Sequence, residues 1–190
     1  MRTKLADLWK PAMGINIKDL KHGIYLFQFY HKDDMQWVLT NGPWAFDNLT
    51  LVINIVKAGE DLIKVSLNEV EFWIQIHDLP YDTKNNSSIW HEYMRLRIKI
   101  DVRKPLKRKT KIVKKDKTEV VVTCKYEKLG DFCFICGLLT HTERFCNKKL
   151  ETADGGITRE WGKWVRAPPR RMTGNSISKW LRAEGDGDWG

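Results

Sequence analysis

Long hydrophobic runs are missing from this sequence. Its most apolar stretch, LTLVINIV at 49–56, has the length of a β-strand, and a bilayer span needs about 20 such residues. The opening MRTKLADLWKPAMG has no apolar run ahead of a small-residue cleavage site, so no secretory leader is expected. Signatures of catalysis are absent too. No P-loop, Ser-His-Asp order, paired-carboxylate constellation or HxE deaminase motif occurs, and no enzyme is expected. No internal repeat is visible. Cysteine is scarce, with four in 190 residues, three of them between 133 and 146. In a chain without a secretory leader, clustered thiols stay reduced and read as metal ligands or redox centres rather than disulfides. The expected setting is intracellular, in nucleus or cytoplasm.

What is present suits a globular protein: 42% hydrophobic and 30% charged residues can support a real core. The net charge of +9 is unevenly spread. Residues 95–117, RLRIKIDVRKPLKRKTKIVKKDK, hold 12 Lys or Arg against Asp101 and Asp116, while the remainder is close to neutral. A charge run is often only a solvated face. Concentrated like this, it points to a polyanion. A membrane surface would call for an amphipathic helix or lipidation site near the charges, and neither appears, so no membrane partner is expected.

The apolar periods predict an α+β chain. Residues 2–10 read as a helix with Leu5, Leu8 and Trp9 on one side, stopped by Pro11. Extended segments at 15–20 and 24–30 flank a hairpin loop at 21–23. Asp33 or Asp34 is placed to cap a short helix through Leu39, with Met35, Val38 and Leu39 buried. Strands are expected near 49–56, 70–77, 94–102 and 118–126, and a loop at 80–89. In RLRIKID, alternation sets Arg95, Arg97 and Lys99 on one face and Leu96, Ile98 and Ile100 on the other. The expectation is a half-buried strand with a cationic outer face. Trp37, Trp44 and Trp73 look like core, and Cys124 like a buried thiol. His22, His31, His77 and His91 have no partner at ligand spacing. Residues 172–190 offer little with which to build a core and are expected to be flexible.

The segment CFICGLLTHTERFC carries the clearest chemistry. It spaces Cys133, Cys136, His141 and Cys146 as Cys-x2-Cys-x4-His-x4-Cys. Zinc takes four tetrahedral ligands from thiolate sulfur and imidazole nitrogen. A two-residue gap lets one tight turn present two sulfurs, and the four-residue gaps return the chain for the other corners. Three thiolates and one His fill the metal, so one structural rather than catalytic Zn2+ is expected. A lone CxxC could be a thioredoxin-like redox pair, but four ligands at this spacing favour zinc.

This run resembles the CCHC knuckle of retroviral nucleocapsid and retroelement Gag-type proteins, with Phe134 after the first Cys, Gly137 after the second and Arg144 two before the last. The resemblance implies that Phe134 stacks on an unpaired base and that Arg144 meets phosphate. Packing of Phe134 against the protein is the alternative. The family carries Gly immediately before the His, where this chain has Thr140; a positive φ there would cost a β-branched residue about 1–2 kcal/mol. Upstream, GPWAFDNLTLVI (42–53), FWIQIHDLP (72–80), RIKIDVRKPLKRK (97–109) and KYEKLGDFCFICG (125–137) are similar to a plant family found in LINE-type retrotransposon-derived proteins. That family pairs a domain of unknown function with a CCHC knuckle. The resemblance covers most of residues 1–166, including WGKWVRA after the knuckle. It implies an RRM-like, ferredoxin-like domain with extra strands at 1–126, truncated by an absent first strand. It also implies a helical segment that is shortened between Asp82 and Trp90. The knuckle would occupy 127–150, and a basic, Trp-containing segment and tail 151–190.

The function expected on these grounds is zinc-dependent binding of single-stranded RNA or DNA with low sequence specificity. The candidate contacts are Phe134, Arg144, Arg95, Arg97, Lys99, Arg103, Lys104, Lys107, Arg108, Lys109 and Lys111. Trp161 and Trp164, which lie among Arg159, Lys163 and Arg166, join them as stacking candidates. Two other readings stand beside it: an assembly module with a protein partner or self-association, and a non-functional retroelement fragment.

Overall fold

The computed structural model describes residues 2–20, 22–80, 93–114, 116–151 and 156–168. Helix α1 (Arg2–Trp9) leads into an antiparallel hairpin of β1 (Ile15–Asp19) and β2 (Tyr25–Phe29), then helix α2 (Lys32–Asn41). Leu5, Trp9, Ile17 and Val38 form the buried centre of this part, with Phe27, Phe29 and Trp44 packed around them. Trp9 meets Phe27 edge-on with ring centroids 5.0 Å apart. The Trp44 indole N–H donates to the Val38 carbonyl at 2.7 Å, so that ring fills space and ends the helix. Of the three apolar residues at helical spacing, Leu5 and Trp9 are buried and Leu8 is exposed.

His31, rather than Asp33 or Asp34, caps α2, its Nδ1 accepting from the Asp33 N–H at 3.2 Å. Asp34 serves a longer reach. Its carboxylate accepts from the Ala12 and Met13 N–H groups at 3.0 and 3.1 Å, and these hold its pKa below the usual range. The turn after α1 is thereby tied to α2.

The apolar run at 49–56 yields only a two-residue strand, β4 (Leu49–Thr50), paired with β3 (Ala45–Phe46). A strand needs a ladder partner, and β3 is too short to provide more. The next three residues are partly buried by side-chain packing instead, while Ile55 and Val56 are exposed. Leu51 and Ile53 pack on the first core, and Val52 on the second.

The second core is built on an antiparallel sheet of order β6-β5-β8-β7. Its strands are β5 (Glu69–His77), β6 (Met94–Asp101), β7 (Lys109–Val113) and β8 (Glu119–Tyr126). β7 was not separable in the sequence from the basic run that contains it. One face is apolar: Val70, Phe72, Ile74, Ile76, Val122, Cys124 and Tyr126 are buried there. Leu106, Phe132, Leu139 and Val165 pack against it. The expected loop at 80–89 lies outside the described residues from 81 onward, as do the shortened segment, His91 and the tail from 169. β1 and β2 pair only with each other among the described strands, so the implied RRM-like sheet is not what organises them. The architecture is mixed helix and antiparallel sheet with an appended knuckle.

Candidate metal centre and the adjoining basic surface

The knuckle begins where β8 ends. Residues 133–137 form a tight turn: the Gly137 N–H donates to the Cys133 carbonyl at 2.8 Å, and the Cys133 N–H to the Leu138 carbonyl at 3.0 Å. Gly137 has φ +75°, a left-handed conformation that a side chain resists. A second turn at Glu143–Phe145 and the short helix α3 (Asn147–Glu151) carry Cys146 back.

The ligand atoms of Cys133, Cys136, His141 and Cys146 all lie within 4.8 Å of one another. Tetrahedral zinc, with sulfur at about 2.3 Å and nitrogen at about 2.0 Å, requires ligand separations of roughly 3.5–3.8 Å. The cluster fits with small adjustment. His141 turns Nε2 toward Cys136 Sγ at 3.3 Å, while its Nδ1 lies 3.2 Å from Thr140 Oγ1. With Nε2 on a metal, Nδ1 carries the proton and donates to that hydroxyl, the outer-shell arrangement that fixes a ligand ring. Thr140 is not among the residues with positive φ, so the departure from the family's glycine carries no backbone penalty.

The three thiols have different surroundings. Burial pushes Cys133 up to about 11, against N–H groups of Cys136 and Ile135 that favour its thiolate. Burial acts on Cys146 too, but hydrogen bonds from His141, Cys133 and the Lys148 and Lys149 N–H groups bring it down to about 7. A divalent ion would favour all three thiolates. Bound zinc would have four protein ligands and no place for a reacting water, and would tie the two turns of the loop together. Cys124 stands apart on β8, buried, its thiol pushed up by burial.

The basic residues fall into two groups. On the polar sheet face, the Arg95 guanidinium lies 3.7 Å from the Trp73 ring centre and pairs with Glu127 at 2.8 Å. Arg97 pairs with Glu71 at 2.8 Å and donates to the Leu39 carbonyl. The expected alternation is present, but exposure is reversed. The Arg95 and Arg97 side chains are only 28% and 27% exposed, whereas Leu96 and Ile98, on the edge strand, are 42% and 40% exposed. Paired carboxylates and Trp73 cover the arginines, and among the described residues no element covers Leu96 and Ile98. Trp73 therefore belongs to the charged face, half-buried, rather than to the core, and Trp37 is exposed. Arg103 pairs with Asp101, Arg108 with Glu160, and Lys111 with Glu119.

The second group is exposed. Lys99, Lys104, Lys107, Lys109 and Arg144 reach solvent, and no described carboxylate lies within ion-pair distance of them. The loop bearing Lys104 and Lys107 is joined to the knuckle. The Leu106 N–H donates to the Gly137 carbonyl at 2.9 Å, and the Trp161 indole N–H to the Leu106 carbonyl at 2.9 Å. Tyr126 Oη donates to the Lys107 carbonyl at 2.9 Å. Trp161 also lies against Gly137 and under the Arg108 guanidinium, 4.5 Å from its ring centre. It is thus a bracket between loop and knuckle. Trp164 is half exposed. Phe134 is partly buried, packed on the sheet core with its ring 5.0 Å from Phe132. The exposed aromatic of the knuckle is Phe145, directly before a ligand and not among the residues the sequence pattern singles out.

No described helix is long and apolar enough to cross a membrane. Neither a curated protein nor a solved structure matches the chain. Residues 1–62 match the family model described as a domain of unknown function (DUF4283), and residues 100–148 match one described as a zinc knuckle. The latter begins upstream of the cysteines and takes in the basic loop. With the four-ligand cluster in place, the chain joins a segment that matches the DUF4283 model to one that matches a zinc knuckle and has its CCHC ligand set.

Proposed function

We propose that the chain binds single-stranded RNA or DNA with low sequence specificity, and that zinc is required because it holds the knuckle beside the basic loop. The observation that carries this reading is the Leu106–Gly137–Trp161 junction, which fixes unpaired lysines next to the metal site. Lys104, Lys107 and Lys109 are assigned to phosphate, with Lys99 and Arg144 at the margins. Arg95, Arg97, Arg103, Arg108 and Lys111 chiefly hold the fold, since each is already paired. The reading assigns binding and no catalysed reaction. The family resemblance of the upstream segments supports placing the protein among retrotransposon-derived chains.

The test is a titration of labelled oligo(U) and oligo(dT) with zinc-loaded protein at two salt concentrations, using wild type and Cys136→Ser. Affinity on the order of micromolar or tighter is expected, falling with salt and with the substitution. Folded, zinc-loaded wild type that binds neither strand would overturn the proposal. It would favour the second reading, an assembly module, for which the exposed Leu96 and Ile98 on the edge strand are the specific observation.

A further inference from the structure

We infer that Phe145 is the base-stacking platform of the knuckle, taking one unpaired nucleobase on its open ring face; this rests on the nucleic-acid reading above. Phe145 is 67% exposed while its neighbour Cys146 is 1% exposed. The metal site explains the pairing of those values. Drawing the Cys146 sulfur inward turns the preceding side chain outward, and the Phe145 N–H bond to the Thr142 carbonyl at 3.0 Å holds the turn. A large apolar ring is thus fixed in solvent by a closed loop, so little ordering remains to be lost on binding.

Its surroundings suit a nucleotide. The Arg144 guanidinium lies over the Phe145 ring, 5.7 Å from its centre, within reach of the phosphate next to a base stacked on the other face. Lys148 and Lys149 follow on α3, both exposed. The one acid of the turn, Glu143, is held by Arg159 through bonds of 3.0 and 3.2 Å, which withdraws its charge from an approaching anion. Phe134 is in the opposite position. It is partly buried against Phe132 and the sheet core, and its carbonyl accepts the Trp161 N–H at 3.1 Å. To expose a ring face there would require unpacking.

The experiment uses the zinc-loaded full chain and two oligonucleotides of equal length and charge, oligo(dT) and an abasic strand. Wild type should prefer the base-bearing strand. Phe145→Ala should lower its affinity for oligo(dT) by about 5- to 150-fold, the span of one base–aromatic stack, and leave abasic binding and zinc content unchanged. Phe145→Trp should keep the preference, with its fluorescence quenched by oligo(dT) and not by the abasic strand. If wild type binds oligo(dT) and Phe145→Ala binds it equally well, this inference is wrong and the proposed function stands. If wild type binds neither strand, both fail together.

Discussion

Gly137 allows a matched comparison. Its φ of +75° is shared by Gly23 in the first hairpin, but only Gly137 is crowded. A Cβ at Gly23 would meet nothing within 4 Å, whereas one at Gly137 would fall 2.7 Å from Cζ2 and Nε1 of Trp161. The left-handed backbone costs an alanine about 1–2 kcal/mol at either site. Only Gly137→Ala adds an overlap cost, about 1–3 kcal/mol for an extra group in a packed site. Trp161 cannot withdraw freely, because its N–H is bonded to the Leu106 carbonyl and Arg108 lies over the ring. Urea unfolding of the zinc-loaded protein should therefore show a loss of about 1–2 kcal/mol for Gly23→Ala and about 2–5 kcal/mol for Gly137→Ala. In a Trp161→Ala background the second figure should fall to the level of the first. Equal losses for Gly23→Ala and Gly137→Ala in the otherwise native chain would refute the close packing of Trp161 on the knuckle, and with it the bracket joining loop and metal site.

Other outcomes follow from the same geometry. Thr140→Ala should weaken zinc affinity roughly 10- to 100-fold in a chelator competition, with Thr140→Ser restoring most of it, because the hydroxyl orients the His141 ring. Replacing Lys104, Lys107 and Lys109 together by alanine should make the log–log salt slope for single-strand binding shallower by about 2, at roughly 0.7 per phosphate. Arg95→Ala should leave that slope alone and lower stability by about 1.5–3 kcal/mol, since Glu127 loses its charged partner and the two-bond grip of the guanidinium while keeping the Gln75 amide. Asp101 should titrate by NMR at about 2, held down by the Arg103 side chain, and rise toward the ordinary carboxylate range in Arg103→Ala. Because its folded pKa is the lower one, the stabilisation is present above the unfolded value of about 3.9 and is lost as pH falls toward 2.

Much of this was legible wherever a local pattern meets a local constraint. α1, the first hairpin, β5, β6 and β8 follow apolar periods, and the four ligands follow from spacing alone. What escaped the sequence depended on partners far along the chain. Alternation in β6 told which residues share a face, but not that Glu127 and Trp73 would cover Arg95 while Leu96 stayed open. The run after Leu49 has the composition of a strand, yet β3 offers two residues to pair with it. β7 alternates lysine with Thr110 and Ile112, a weak apolar signal inside a charge run. Trp161 looked like a stacking residue among cations, and its bond to Leu106, 55 positions away, made it a structural one. The family resemblance points to Phe134, whereas the outward turn of Phe145 follows from the inward-facing ligand beside it.

The central claim is one zinc held by Cys133, Cys136, His141 and Cys146, and native mass spectrometry of the intact chain measures it most directly. The account predicts one zinc per chain, lost or weakened by Cys133→Ser, Cys136→Ser, His141→Ala or Cys146→Ser and unchanged by Cys124→Ser. A folded chain that takes up no zinc, or one that loses it with Cys124→Ser, would contradict it.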